Sequence, residues 1–199
     1  MSEIIVVHGP PGSGKSTQSE RLAYNGLKDK DILHVSAGKR VRDVRAGRAA
    51  SEFSDSIRDP SAPSPTSDAV LRGLVFELIN HQGDDTLALV DGYPRHEDTV
   101  GSFLDAIERR RHRLLGSICL EVSSSASLQR ILARGGRNGE RVIGSTLEEF
   151  AARRYQAYQQ HMKALGAKAL VERIDADQPF ETVGTAFRHA VSRLTDEVC

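Results

Sequence analysis

Tryptophan is absent from this 199-residue chain, and cysteine and methionine occur twice each. Cys119 stands in the apolar run GSICLEV and Cys199 is the last residue. That placement excludes a metal-ligand spacing and a disulfide framework, and Cys119 reads as a core residue. Net charge is missing as well, because Lys+Arg and Asp+Glu are both 27. A balanced chain has no global attraction to nucleic acid or an anionic membrane, so any anion site must be a local cluster of positive charge. No apolar run approaches the ~20 residues of a membrane span. The N-terminal MSEIIVVHGPPG has too short an apolar stretch for a signal peptide. The expectation is one cytoplasmic, monomeric domain over residues 1–199, with no nucleic-acid or membrane partner.

What the chain does have is alternation. Short β-branched runs at Ile4–Val7, Ile32–Val35, Leu87–Val90, Ile118–Val122 and Leu170–Ile174 are apolar nearly throughout, as strands buried on both faces of a parallel sheet must be. Between them lie amphipathic stretches at Lys15–Tyr24, Asp68–Asn80, Thr99–Arg110, Ser125–Ala133, Leu147–Leu165 and Phe180–Leu194. Ser67 or Asp68 suits a helix cap, and Pro179 suits a first turn. Strand–helix alternation predicts right-handed crossovers and an α/β fold with a doubly wound parallel five-stranded sheet. Two segments interrupt it: residues 38–67, ending in DPSAPSPTS, and residues 134–146, rich in Gly and Arg. Both are expected at the carboxyl ends of the strands, where open α/β sheets bind ligands.

The strand EIIVV leads into GPPGSGKST, which spells G-x-x-x-x-G-K-[ST] through Gly9, Gly14, Lys15 and Ser16. Gly12 and Gly14 let the backbone turn its N–H groups, with that of Ser13, toward phosphate oxygens. The helix starting near Lys15 directs its positive end at the same anion. Lys15 adds a full charge, the Ser16 hydroxyl suits Mg²⁺, and Thr17 offers a further hydroxyl. A second constellation is LALVDGYPR. Asp91 ends an apolar strand where a carboxylate can organise Mg²⁺ or its waters. Gly92 turns the chain, Pro94 stiffens the turn, and Arg95 leaves it as a fork suited to phosphate.

Together GPPGSGKST and DGYPR resemble the motif pair of the nucleoside monophosphate kinases, the adenylate and UMP/CMP kinase family. Further stretches agree with the resemblance. HVSAGKRVRD is similar to the family's S-x-G-D-x-x-R element, with Ser36, Gly38 and Arg42 in register. SLQRILARGGR carries Arg130 and Arg134, which the resemblance sets along ATP. FAARRYQAY resembles the family's R-L-x-x-Y helix and implies Arg154 on the transferring phosphate. Arg141 is the better match to the remaining lid arginine and Arg137 its rival. The resemblance implies a P-loop kinase fold with a small acceptor-binding insertion at 38–67 and a short lid at 134–146. It implies ATP and Mg²⁺ as cofactors, with phosphoryl transfer to a nucleoside monophosphate. The catalytic set is then Lys15, Arg95, Arg134, Arg141 and Arg154. Gly12, Ser13, Gly14, Lys15, Ser16, Thr17 and Arg130 face ATP, and Ser16 and Asp91 face the metal. Ser36, Gly38, Arg42, Gly92, Arg95 and Thr99 face the acceptor.

The departures all fall on the acceptor side. Lys39 stands where the family has Asp, and Ala37 follows Ser36 as in the UMP/CMP branch. Thr99 stands where adenylate kinases have Gln and UMP/CMP kinases Asn, and one hydroxyl makes no paired amide contact with a base. The base is therefore open, a pyrimidine or a modified nucleotide included. A phosphorylated non-nucleotide acceptor and a nucleotide-binding module with weak turnover are the other classes. The seven histidines are scattered and read as surface or partly buried residues.

Overall fold

Strand β1, Glu3–His8, alternates its side chains between two cores. Ile4 and Val6 enter one core and Ile5 and Val7 the other, all at most 1% exposed. A strand so buried on both faces needs neighbours on both edges and helices above and below. The computed structural model of the chain describes residues 1–27, 30–59, 67–82, 86–133 and 169–196, and it supplies both.

The other strands are β2 (Ile32–Ser36), β3 (Leu87–Asp91), β4 (Arg113–Glu121) and β5 (Val171–Asp175). They form a five-stranded sheet in the order β2-β3-β1-β4-β5, parallel at every pairing. This is the expected doubly wound α/β sheet. The described helices are α1 (Lys15–Asn25), α2 (Ala37–Arg45), α3 (Ser54–Arg58), α4 (Asp68–Asn80), α5 (Glu97–Arg109), α6 (Ser124–Ala133) and α7 (Phe180–Asp196). The stretch expected as a helix at Leu147–Leu165 lies outside the described residues.

One face of the sheet is covered by α2, α4 and α5, through Val41, Val44, Leu74, Val75, Phe76, Phe103 and Ile107. The other is covered by α1 and α7, through Leu22, Val183, Phe187, Val191 and Leu194. Each large side chain so buried contributes roughly 1.5–3 kcal/mol. Cys119 of β4 is 0% exposed, as its apolar run requires.

Two differences from the sequence reading have physical causes. β4 begins at Arg113, five residues before the expected Ile118, so that Gly116 and Ser117, which carry no β-branched signal, lie inside it. Gly116 is a packing residue: a Cβ there would stand 2.8 Å from Leu194 of α7 and 2.9 Å from the carbonyl oxygen of Leu170. The 38–67 insertion also carries helical structure, α2 and α3, which its polar composition hides. The ring of Phe53 lies over Gly73 of α4, where an added Cβ would be 2.1 Å away. Glu77 of α4 accepts from Ser51 Oγ at 2.8 Å and from the Glu52 N–H at 3.3 Å. These contacts seat the insertion on α4.

Candidate active site

The loop after β1 is held from beneath by α6. Ser127 Oγ donates to the Pro11 carbonyl at 2.6 Å. Arg130 donates to the Gly12 carbonyl at 3.3 Å and to the Ala176 carbonyl at 2.9 Å. Gly12 has φ 79°, and a Cβ on it would lie 2.9 Å from the Ser127 carbonyl oxygen, so α6 can approach only a glycine. Gly14, the N-cap of α1, has φ 89° and nothing within 4 Å of where a Cβ would stand. The backbone there faces open space at the positive end of α1, the place for an anion.

Within that loop Lys15 Nζ donates to the Pro10 carbonyl at 3.2 Å, so the ammonium is folded over the loop. Ser13 is buried, 2% exposed, and its N–H donates to Pro10. Thr17 is exposed on α1. Ser16 Oγ donates to Asp91 Oδ2, which joins the start of α1 to the end of β3. Asp91 is 3% exposed and registers beside Val7 of β1 and Ser36 of β2. Burial pushes its carboxyl up, but the His34 ring, the Lys15 charge and the Ser16 hydroxyl outweigh it and hold the group below the usual carboxylate range. An ionised carboxylate beside a hydroxyl is a hard oxygen donor set, which fits Mg²⁺.

Across the cleft, β2 runs straight into α2. Ser36 caps that helix, accepting from the Lys39 N–H at 3.5 Å. A Cβ on Gly38 would stand 3.4 Å from an Arg42 guanidinium nitrogen and 3.6 Å from one of Arg95. Residues 53 positions apart in sequence thus bring two guanidinium groups to one space. Arg95 is oriented by its Nε, which donates to the Gly92 carbonyl at 2.7 Å. Gly92 has φ 81°, and the Tyr93–Pro94 peptide is cis. Tyr93 is buried edge-on against Phe103, and its hydroxyl donates to Asp68 at 2.7 Å. Asp68 also accepts from Ser102 at 3.0 Å and from Arg72 at 2.5 Å, so one carboxylate ties the turn to α4 and α5.

The sequence-derived site therefore converges in part. Gly12, Ser13, Gly14, Lys15, Ser16, Thr17, Asp91 and Arg130 gather at the loop, and Ser36, Gly38, Arg42, Gly92 and Arg95 gather opposite. Thr99 is the exception. Its hydroxyl donates to the His96 carbonyl at 2.7 Å and accepts from the His96 N–H at 3.3 Å, capping α5. Arg134, Arg137, Arg141 and Arg154, with the lid expected at 134–146, lie outside the described residues. Sequence reasoning missed Asp68, Ser127 and the backbone contacts of Arg130, which depend on partners remote in the chain.

A family described as AAA domain matches residues 8–172. Among curated relatives, the adenylate kinase of Synechococcus sp. (strain RCC307) is 34% identical over 154 residues, covering 75% of this chain and 79% of that protein. The adenylate kinase of Rhizorhabdus wittichii is 33% identical over 132 residues, 65% of this chain and 58% of that protein. The uridylate kinase of Saccharomyces cerevisiae is 31% identical over 141 residues, 68% of this chain and 64% of that protein. The matches thus span under two thirds of the length of the latter two relatives. No helix among the described residues is long and apolar enough to cross a membrane. A phosphate loop, a buried carboxylate bonded to its serine, and relatives named for phosphorylating nucleotides lead to one assignment: the chain belongs to the nucleoside monophosphate kinase family of P-loop, ATP-dependent phosphotransferases.

Proposed function

We propose that this protein transfers the γ-phosphoryl group of ATP to a nucleoside monophosphate, and that it uses pyrimidine or modified monophosphates better than AMP. The observation that carries the transfer reading is the pair of guanidinium groups, Arg42 and Arg95, meeting at Gly38 opposite a phosphate loop with an ionised Asp91. An acceptor phosphate held by two arginines faces a donor phosphate held by Lys15 and the N-terminus of α1. The acceptor oxygen is already ionised at neutral pH, because its second pKa lies near ~6. No general base is then needed. The chain's own task is to neutralise charge and hold two polyanions in line. When bound, Mg²⁺ supplies charge neutralisation at the phosphate oxygens, and Ser16 and Asp91 are the residues to hold it or its waters.

The lid residues expected from the sequence, Arg134, Arg141 and Arg154, would complete the positive surround on the transferring group. Water has to be kept from that group, which is the function of insertions that close over nucleotides. A single-domain, cytoplasmic, monomeric enzyme without nucleic-acid or membrane partners is part of the same proposal.

The pyrimidine reading is supported by Ala37 and the RHED segment at 95–98, with no Gln at position 99 to read adenine. The cap that occupies Thr99 limits how sharply any base is read. A hydroxyl already bonded to the His96 backbone has little left to read a base edge. Discrimination among bases is therefore modest. The same observation keeps a phosphorylated metabolite other than a standard nucleotide as the second reading. The test is kcat/KM with MgATP for AMP, CMP, UMP, dCMP and GMP. Use of CMP or UMP above AMP supports the proposal. A strong preference for AMP overturns the pyrimidine part, and no acceptor-dependent ADP release overturns the whole.

A further inference from the structure

Glu20, His34 and Lys39 lie on three different elements, and of these only His34, beside Asp91, has entered the site so far. Glu20 follows Ser16 by one turn of α1 and so shares its face. Glu20 Oε1 is 3.9 Å from Lys39 Nζ on α2 and 3.8 Å from His34 Nδ1 on β2. On its other edge, His34 Nε2 is 3.7 Å from Asp91 Oδ2. The His34 side chain is 8% exposed, whereas those of Lys39 and Glu20 are 61% and 53% exposed. Charged and polar groups, each within 4 Å of the next, thus run from Lys39 on α2 to the hydrogen-bonded Ser16–Asp91 pair.

We propose that Glu20 and His34 are positioning residues for the divalent cation held by Ser16 and Asp91, and that Lys39 tunes that cation's affinity by drawing the Glu20 carboxylate toward the insertion. This rests on the kinase reading above. An imidazole with a carboxylate within 4 Å of each ring nitrogen is biased in orientation by both, and it stands beside the Asp91 oxygen that a metal or its water must use. Lys39 and His34 approach the same oxygen of Glu20, so a stronger hold by one weakens the other. Lys39 also adds a positive charge to the set of groups that leads to Asp91, which opposes cation binding there. The acceptor element and the metal site are therefore coupled in this chain through a carboxylate outside both.

Lys39 and Glu20 are exposed enough for replacement to leave the fold intact. The experiment measures the affinity of a non-hydrolysable ATP analogue in excess Mg²⁺ and in EDTA, with no acceptor present. The ratio of the two affinities isolates the cation's contribution. Lys39→Ala is expected to raise this ratio and Glu20→Gln to lower it, each about threefold for solvent-screened charges. Glu20→Gln is expected to lower it further in the Lys39→Ala background than alone, because the carboxylate is then wholly committed to His34. His34→Leu is expected to lower the ratio, and His34→Gln, which keeps a polar amide, to recover part of it. If the unaltered protein shows a large ratio that none of these variants moves, the inference is overturned and the kinase reading stands. Shifts that are equal in Mg²⁺ and EDTA overturn it too, since they report a general charge effect on the nucleotide. A ratio of one in the unaltered protein overturns the reading of Ser16 and Asp91 as cation ligands, and the inference with it.

Discussion

Ser16 at the start of α1 and Asp91 at the end of β3 are joined by a hydrogen bond between residues 75 apart in the sequence. The bond makes the phosphate loop and the turn leading to Arg95 one assembly. Lys15 lies beside it, folded over the loop without packing into a core. Lys15→Ala is therefore expected to lower kcat by about a hundredfold or more while far-ultraviolet circular dichroism stays unchanged. Turnover near the original value in a folded Lys15→Ala protein would refute the assigned chemistry.

The two sides of the cleft are expected to separate in steady-state kinetics. Arg42→Ala and Arg95→Ala each remove a guanidinium from the space beside Gly38. Both should raise KM for the acceptor by about tenfold or more, on the scale of a charged hydrogen bond. Arg130 spends its guanidinium on the carbonyls of Gly12 and Ala176, so Arg130→Ala loosens the loop and raises KM for ATP instead. Damage confined to ATP in all three variants would count against the acceptor assignment.

The legibility of this site follows the distances over which its parts act. The phosphate loop and DGYPR are contiguous, and their chemistry follows from residue type and spacing. β1 and β3 were legible because burial on both faces leaves an unbroken apolar run. The edge strands β2 and β5, only partly buried, were read from short β-branched runs placed between helical stretches. The start of β4 was hidden because the packing demand on Gly116 comes from Leu194 and Leu170, far along the chain. Arg130 was expected beside ATP on family spacing, but its bonds to Gly12 and Ala176 span 118 and 46 residues and no local pattern announces them. Thr99 was legible as a departure from the family, while its capping of α5 emerged only with the fold.

Thr99 offers a direct separation of two roles. If its hydroxyl mainly caps α5, Thr99→Val should lower stability by about 1 kcal/mol, the usual scale for a lost cap, with acceptor preference unchanged. Denaturant unfolding reads the first quantity and kcat/KM across the monophosphates the second. Thr99→Asn, which can cap and also offer an amide to a base, should sharpen preference toward CMP or UMP. A changed base preference in Thr99→Val would assign the hydroxyl to the substrate.

The seat of the insertion is testable at Gly73. A methyl group there meets the Phe53 ring at 2.1 Å, so Gly73→Ala must push the ring away. The expected cost is about 1–3 kcal/mol of overpacking, together with a higher acceptor KM and little change in KM for ATP. Phe53→Ala in the Gly73→Ala background should relieve the clash without restoring the seat. Unchanged kinetics in Gly73→Ala would show that the insertion's contact with α4 is dispensable.

Glu3 makes a prediction about acid. Burial raises its carboxyl, but Lys30 at 2.5 Å and Arg113 outweigh burial and hold it below the ordinary carboxylate range. A group lowered on folding stabilises the protein fully above its unfolded value and loses that contribution as the pH falls through its folded value. Glu3→Gln should therefore reduce stability at neutral pH and flatten the fall in stability below about pH 4.5. Equal acid slopes for the two proteins, from denaturant unfolding at several pH values, would contradict the assignment.

The sheet also acts as a partition. Every helix that shapes the acceptor side draws on the core of Ile4, Val6, Val35 and Leu74, whereas the nucleotide-loop helix and the C-terminal helix draw on that of Ile5, Val7, Phe187 and Leu194. Among the described residues the two clusters meet across the strands, and polar side chains such as Ser16 with Asp91 and Glu20 with Lys39 link the two sides. Apolar substitutions that keep those polar links can therefore accumulate in one cluster with little effect on the packing of the other. On the proposed function, a lineage is free to retailor its acceptor by repacking one face of the sheet, while the phosphate loop on the other stays as it was.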